Sequence, residues 1–135
     1  MFSKVDYIMV NVSVMGRSVA FYRDTLGLSL RLETPGWTEF DTGASVLALH
    51  LVEAIEMPKG SGQTGPVAGT CSIGFSVPHM DTAYAELQSR GARFVMPPTD
   101  QANEGIRLAV CVDPDGLAIS FAQPLAREAP GSKKP

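Results

Sequence analysis

The sequence predicts an α+β fold built from two βαβββ modules whose mixed sheets curve into a trough. Three observations lead there. A helical pattern occurs twice: VSVMGRSVAFY begins at Val12 and VPHMDTAYAEL at Val77, and this offset of 65 also aligns Met15 with Met80 and Ala20 with Ala85. Short segments that alternate apolar and polar residues flank each copy, the pattern of half-buried strands. Between the copies lies EMPKGSGQTGPVAGT, whose glycines and prolines read as a linker.

Taken in chain order, YIMVNV sets Ile8, Val10 and Val12 on one face of a first strand and Tyr7, Met9 and Asn11 on the other. Met15, Val19, Tyr22 and Leu26 then recur at the spacing of one helical face, and Gly27 suits a left-handed stop. Strands are expected at about 28–33, 36–41 and 45–52. In the last of these, Leu47, Leu49 and Leu51 should pack on the helix, with Val46, Ala48 and His50 opposite. The second module repeats the plan. CSIGFSV alternates Ile73, Phe75 and Val77 against Ser72, Gly74 and Ser76, and Met80, Tyr84 and Leu87 mark a helix that ends at Gly91. Asp81 brings negative charge to the start of that helix. Strands at about 92–96, 106–113 and 117–122 complete the count, the last setting Leu117, Ile119 and Phe121 against Ala118, Ser120 and Ala122. DPDG at 113–116 is turn chemistry. Residues 1–125 therefore read as one domain, with module one at about 5–52, a linker at about 53–69, module two at about 70–122 and a flexible tail at 126–135. A module of ~60 residues buries little by itself, so the two should pack together or exchange across a dimer.

Composition narrows the function. With 135 residues, 44% of them apolar and 19% charged, the chain suits a single globular domain with a real core. A net charge of −3 and no basic block beyond SKKP argue against nucleic acid and anionic membrane surfaces. No apolar run approaches the ~20 residues of a membrane span, and MFSKVDYIMV lacks the features of a secretory signal, so a cytoplasmic location is expected. Cys71 and Cys111 form no C-x-x-C motif and read as small strand residues in a reducing compartment. The glycines at 60, 62 and 65 lead to Pro66 rather than to a helix start, which speaks against a phosphate loop.

RSVAFYRDTLGL (17–28), GWTEFDTG (36–43) and DPDGLAISF (113–121) make the chain resemble the vicinal oxygen chelate superfamily, which includes glyoxalase I, bleomycin-resistance proteins and extradiol dioxygenases. The resemblance covers about residues 5–124; Val14 departs from it, since an Asp commonly precedes the first helix. It implies two metal ligands from each module, His or Gln on the first strand and Glu on the last. Carried over, those positions are Tyr7 and Ser72 on the first strands and Ala48 and Ser120 on the last. Neutral hydroxyls and a methyl group are poor partners for a divalent transition metal, so no metal and no other cofactor is expected.

The predicted function is binding of an apolar or aromatic small molecule in a metal-free trough. The expected lining is Tyr7, Met9, Trp37, His50, Ser72 and Ser120, a mixture of apolar walls and polar anchors typical of ligand pockets. Trp37 offers a stacking surface or ordinary packing. His50, Glu39 and Tyr7 are the candidates if the trough instead runs a metal-free proton transfer, isomerisation or lyase reaction. A divalent-metal glyoxalase- or dioxygenase-type enzyme using His50 and Glu39 stands behind both readings. His79 reads as an exposed residue before the second helix, and Asn103, Glu104 and Arg107 as a solvated loop or a gate at the mouth. Asp113 and Asp115 read as turn-forming. Small half-sheets with edges to cover, together with the resemblance, imply a homodimer. The sequence leaves open the ligand, whether a reaction is catalysed, the pathway, and whether modules pair within one chain or across two.

Overall fold

The computed structural model describes residues 2–53 and 68–126. The linker expected at about 53–69, including the glycines at 60, 62 and 65, and the tail at 126–135 lie almost entirely outside the described residues. Eight described strands form two open four-stranded sheets. The chain divides into two compact units, residues 1–71 with 113–117, and residues 72–112 with 118–135. Among the described residues no helix is long and apolar enough to cross a membrane.

In the first unit, β1 (Tyr7–Val12) leads into α1 (Met15–Ala20), which continues as one π-helical turn over Phe21–Thr25. β2 (Ser29–Glu33), β3 (Trp37–Asp41) and β4 (Val46–Leu51) follow. The sheet order is β1-β4-β3-β2, with β1 and β4 parallel and the remaining pairs antiparallel. The helix thus carries the chain across the whole sheet to its far edge, and the two hairpins bring it back beside β1. The core holds Val10, Val12, Leu47 and Leu49, as the alternation predicts, together with Phe40, against Met15, Val19 and Tyr22 from the helix, whereas Ile8 and Leu26 are only half-buried. Leu51 departs from that expectation; it ends its strand and is exposed. The left-handed stop falls at Gly27, where φ is +78°.

The second unit repeats this order. β5 (Ile73–Ser76) is followed by α2 (Met80–Ser89), β6 (Arg93–Gln101), a 3₁₀ turn at Ala102–Glu104, β7 (Ile106–Val112) and β8 (Ala118–Pro124), with sheet order β5-β8-β7-β6. The amide of Met80, unsatisfied within its helix, donates to Gln123 Oε1 at 2.6 Å. Three expectations are corrected. β6 runs to Gln101 rather than stopping near 96, straight through Pro97 and Pro98. It is an edge strand with register shifts between Phe94 and Met96 and between Met96 and Thr99, the setting in which a strand tolerates residues without an N–H. Cys71 and Ser72 precede β5 and both are exposed, so only Cys111 is a buried strand cysteine. Arg107 lies within β7 rather than in a solvated loop: its Nε donates to Asp100 at 2.7 Å, and it approaches Asp81 of α2 at 3.6 Å.

The turn between β7 and β8 belongs to the first unit. Asp113, only 3% exposed, accepts the amides of Asp115 (2.9 Å) and Leu117 (2.8 Å) on Oδ1, which folds the turn. Its Oδ2 accepts the hydroxyl of fully buried Tyr22 at 2.8 Å. Asp115 accepts the backbone amide and the hydroxyl of Ser13 and pairs with Arg17 at 3.3 Å. The turn reading of both aspartates holds, and the buried bond from Tyr22 adds a latch onto the first helix. Tyr22→Phe leaves a carboxylate oxygen buried without its donor and should lower unfolding stability by about 1–3 kcal/mol. Thr38→Val is the contrasting case: Thr38 is fully buried and its Oγ1 has no hydrogen-bond partner among the described residues, so a methyl of similar size should be neutral or stabilising. Urea unfolding of both variants beside the native chain checks the opposite signs.

Candidate functional site

Each sheet packs one face on its helix and leaves the other without a covering element of its own unit. In the first sheet the register sets Met9, Ala48 and Glu39 in one row across β1, β4 and β3, with Asn11, His50 and Trp37 in the next. Tyr7, paired with Val46, stands one row further along β1 on the same face. This face carries Tyr7 (53% exposed) and Met9 (45% exposed) beside half-buried Trp37, Glu39 and His50, whereas Ser120 belongs to the second sheet and Ser72 precedes it.

The indole of Trp37 starts on β3, yet its centroid lies 6.1 Å from the ring of Tyr7 on β1, edge to face at 72°. It lies 6.0 Å from the imidazole of His50 on β4, tilted by 58°. Between the two rings' strands lies β4, whose Ala48 is fully buried although it belongs to the open face. Trp37 Nε1 donates to Glu39 Oε2 at 2.8 Å and fixes the ring's orientation. Glu39 is also approached by Arg31 at 3.6 Å. His50 Nδ1 lies 3.2 Å from Asn11 Oδ1. Since an amide oxygen only accepts, the neutral ring carries its proton on Nδ1, and its Nε2 presents a lone pair. Asn11 and Arg31 were missed from sequence alone. Asn11 was readable from the parallel register that sets it beside His50, whereas Arg31 sits at a β2 irregularity that alternation does not predict.

The second sheet's open face is plainer. Gly74 pairs with Ser120, the counterpart of Met9 with Ala48 in the first module. A Cβ on Gly74 would meet Ser120 Oγ at 3.1 Å, and that hydroxyl points back toward the carbonyl of Ile73 at 3.4 Å. Ala118, Ala122, Val110 and Val112 share the face and are half-buried. His79 is exposed at the start of α2.

The four positions at which the resemblance implies metal ligands thus offer a phenol, a methyl and two hydroxyls, one of them turned to the backbone. Such a donor set does not fit a divalent transition metal, which takes imidazole, thiolate or carboxylate. Among the described residues no three His, Cys, Asp or Glu side chains come together. Glu39, the nearest carboxylate to His50 on this face, is engaged by Trp37 and Arg31.

Comparison with known proteins agrees with the architecture. The model of the Glyoxalase/Bleomycin resistance protein/Dioxygenase superfamily matches residues 4–121, and the chain belongs to that superfamily. A glyoxalase/bleomycin resistance protein/dioxygenase from Nocardioides superposes with a TM-score of 0.73 at 24% identity, over 99% of this chain and 91% of that one. A virulence protein from Salmonella typhimurium gives 0.70 at 24% identity, over 93% and 99%. A lactoylglutathione lyase from Agrobacterium tumefaciens gives 0.68 at 18% identity, over 90% and 93%. At these identities the likeness speaks to fold alone. No curated protein matches the chain.

Ala48 is fully buried on β4, between the strands of Tyr7 and Trp37. Ala48→Leu should displace the indole, lower stability by about 1–3 kcal/mol, and shift the emission of this single tryptophan to longer wavelength. Steady-state fluorescence with thermal unfolding checks both.

Proposed function

We propose that this protein binds an apolar or aromatic small molecule on the open face of its first sheet, without a divalent metal at the positions the family resemblance implies. The observation that carries the reading is the indole of Trp37, oriented by its bond to Glu39 and bordered by Tyr7 and His50. A rigid aromatic platform with a few polar groups at its rim is what ligand pockets present. Tyr7 and Met9, about half exposed, extend the apolar surface. Titration with naphthalene, biphenyl and coumarin should change the tryptophan emission saturably, and calorimetry should show that Trp37→Ala loses the same binding. A panel that never binds, or binds Trp37→Ala unchanged, would sink the reading.

The metal-free part has its own test. After expression in metal-supplemented medium and dialysis without chelator, elemental analysis should find no stoichiometric transition metal. About one zinc, iron, nickel or manganese per chain, lost in His50→Ala, would instead favour a metalloenzyme.

One observation supports a second reading. The bond from His50 to Asn11 leaves Nε2 oriented as a proton acceptor, the arrangement of a general base. A metal-free isomerase or lyase would exchange solvent deuterium into a weak carbon acid such as 2-tetralone, about 10²–10⁴-fold more slowly in His50→Ala. A pure binder would show no such exchange. We also propose a homodimer. Leu30 and Leu32 stand 40% and 46% exposed on the edge strand β2, surface that a second copy would remove from water. Sedimentation equilibrium at tens of micromolar, roughly the range in which a stable interface persists, should show the dimer.

A further inference from the structure

We infer that the ligand of this face is a neutral planar aromatic carrying a single hydrogen-bond donor, such as a phenolic hydroxyl, which lies on the indole of Trp37 and donates to His50 Nε2. The inference rests on the reading of the first sheet's open face as a binding surface, and adds what that surface selects.

The argument is an inventory of what each polar group has left to offer. Asn11 Oδ1 takes the proton of His50 Nδ1, so the imidazole has one unused site, the Nε2 lone pair, and that site accepts. Nε2 has no hydrogen-bond partner among the described residues. The imidazole neighbours the indole, with ring centroids 6.0 Å apart and planes tilted by 58°, so its free acceptor lies within reach of a substituent on an aromatic ring held at the indole. The charges nearest the platform compensate each other. Glu39 holds the indole N–H at 2.8 Å and faces Arg31 at 3.6 Å, so neither is left as an uncompensated partner for an ionic ligand. The surface therefore asks for one donor on an uncharged aromatic. An ether or a bare hydrocarbon leaves the lone pair unused and strips its water without return.

The test uses three probes of one shape, 1-naphthol, 1-methoxynaphthalene and naphthalene, measured by calorimetry and tryptophan emission. On the native protein 1-naphthol should bind about five- to tenfold more tightly than either of the others, the order of one half-exposed hydrogen bond. His50→Phe keeps a ring beside the indole and removes the acceptor. It should erase the preference, so that 1-naphthol binds this variant no more tightly than naphthalene. Asn11→Leu frees the imidazole to change tautomer and should reduce the preference without abolishing binding. Equal affinity for the three probes, tighter binding of the methoxy compound, or a preference that survives His50→Phe overturns this inference and leaves the binding surface standing. Failure of all three probes, or unchanged binding to Trp37→Ala, overturns the binding surface and the inference with it. Far-ultraviolet circular dichroism on each variant confirms that a lost preference is not a lost fold.

Discussion

The parallel pairing of the first and last strand in each module is the constraint on which the rest depends. Because β1 lies beside β4, the chain cannot close a simple meander, and the helix must carry it across to the far edge before two hairpins return it. The helix consequently covers one face, and the opposite face is left to side chains from β1, β4 and β3. The same pairing, β5 with β8, organises the second module. Met9 opposite Ala48 and Gly74 opposite Ser120 are the same register read twice, so the internal repeat is a repeat of hydrogen-bonded geometry and not only of apolar pattern.

On that shared frame the two open faces have diverged. The first carries three neighbouring rings beside a fully buried Ala48: Glu39 orients the indole, and Asn11 sets the tautomer of His50. The second carries glycine, serine, alanine and valine, and its central hydroxyl turns back toward its own sheet. Both differ from the ligand set that the family resemblance implies.

The turn at 113–117 shows how a local motif takes on a longer-range role. DPDG would fold as a turn anywhere, since Asp113 Oδ1 accepts the amides that follow it. The second oxygen of the same carboxylate receives Tyr22, from a π-helical turn whose extra residue alters the rotation of the side chains that follow it. One buried side chain therefore closes the turn and ties it to the first helix.

By itself the sequence determined the repeat, the order of elements, the faces of the strands and the core of each helix, because periods of two and 3.6 residues and the glycine stops are local properties. It also placed Tyr7, Met9, Glu39 and His50 on one face by alternation. It went wrong where edge position overrides propensity: Pro97 and Pro98 lie inside a strand because β6 has one side free of partners, and Leu51 is exposed because its strand ends there. Only the tertiary structure decided that Trp37 on β3 neighbours Tyr7 on β1, that Asn11 rather than an acid partners His50, that Arg31 faces Glu39, and that Arg107 is held by Asp100 and Asp81. Each of those contacts joins residues on different strands or elements, or turns on the rotamer of a long side chain. Both depend on register and on the space a neighbour leaves, which a linear pattern does not encode.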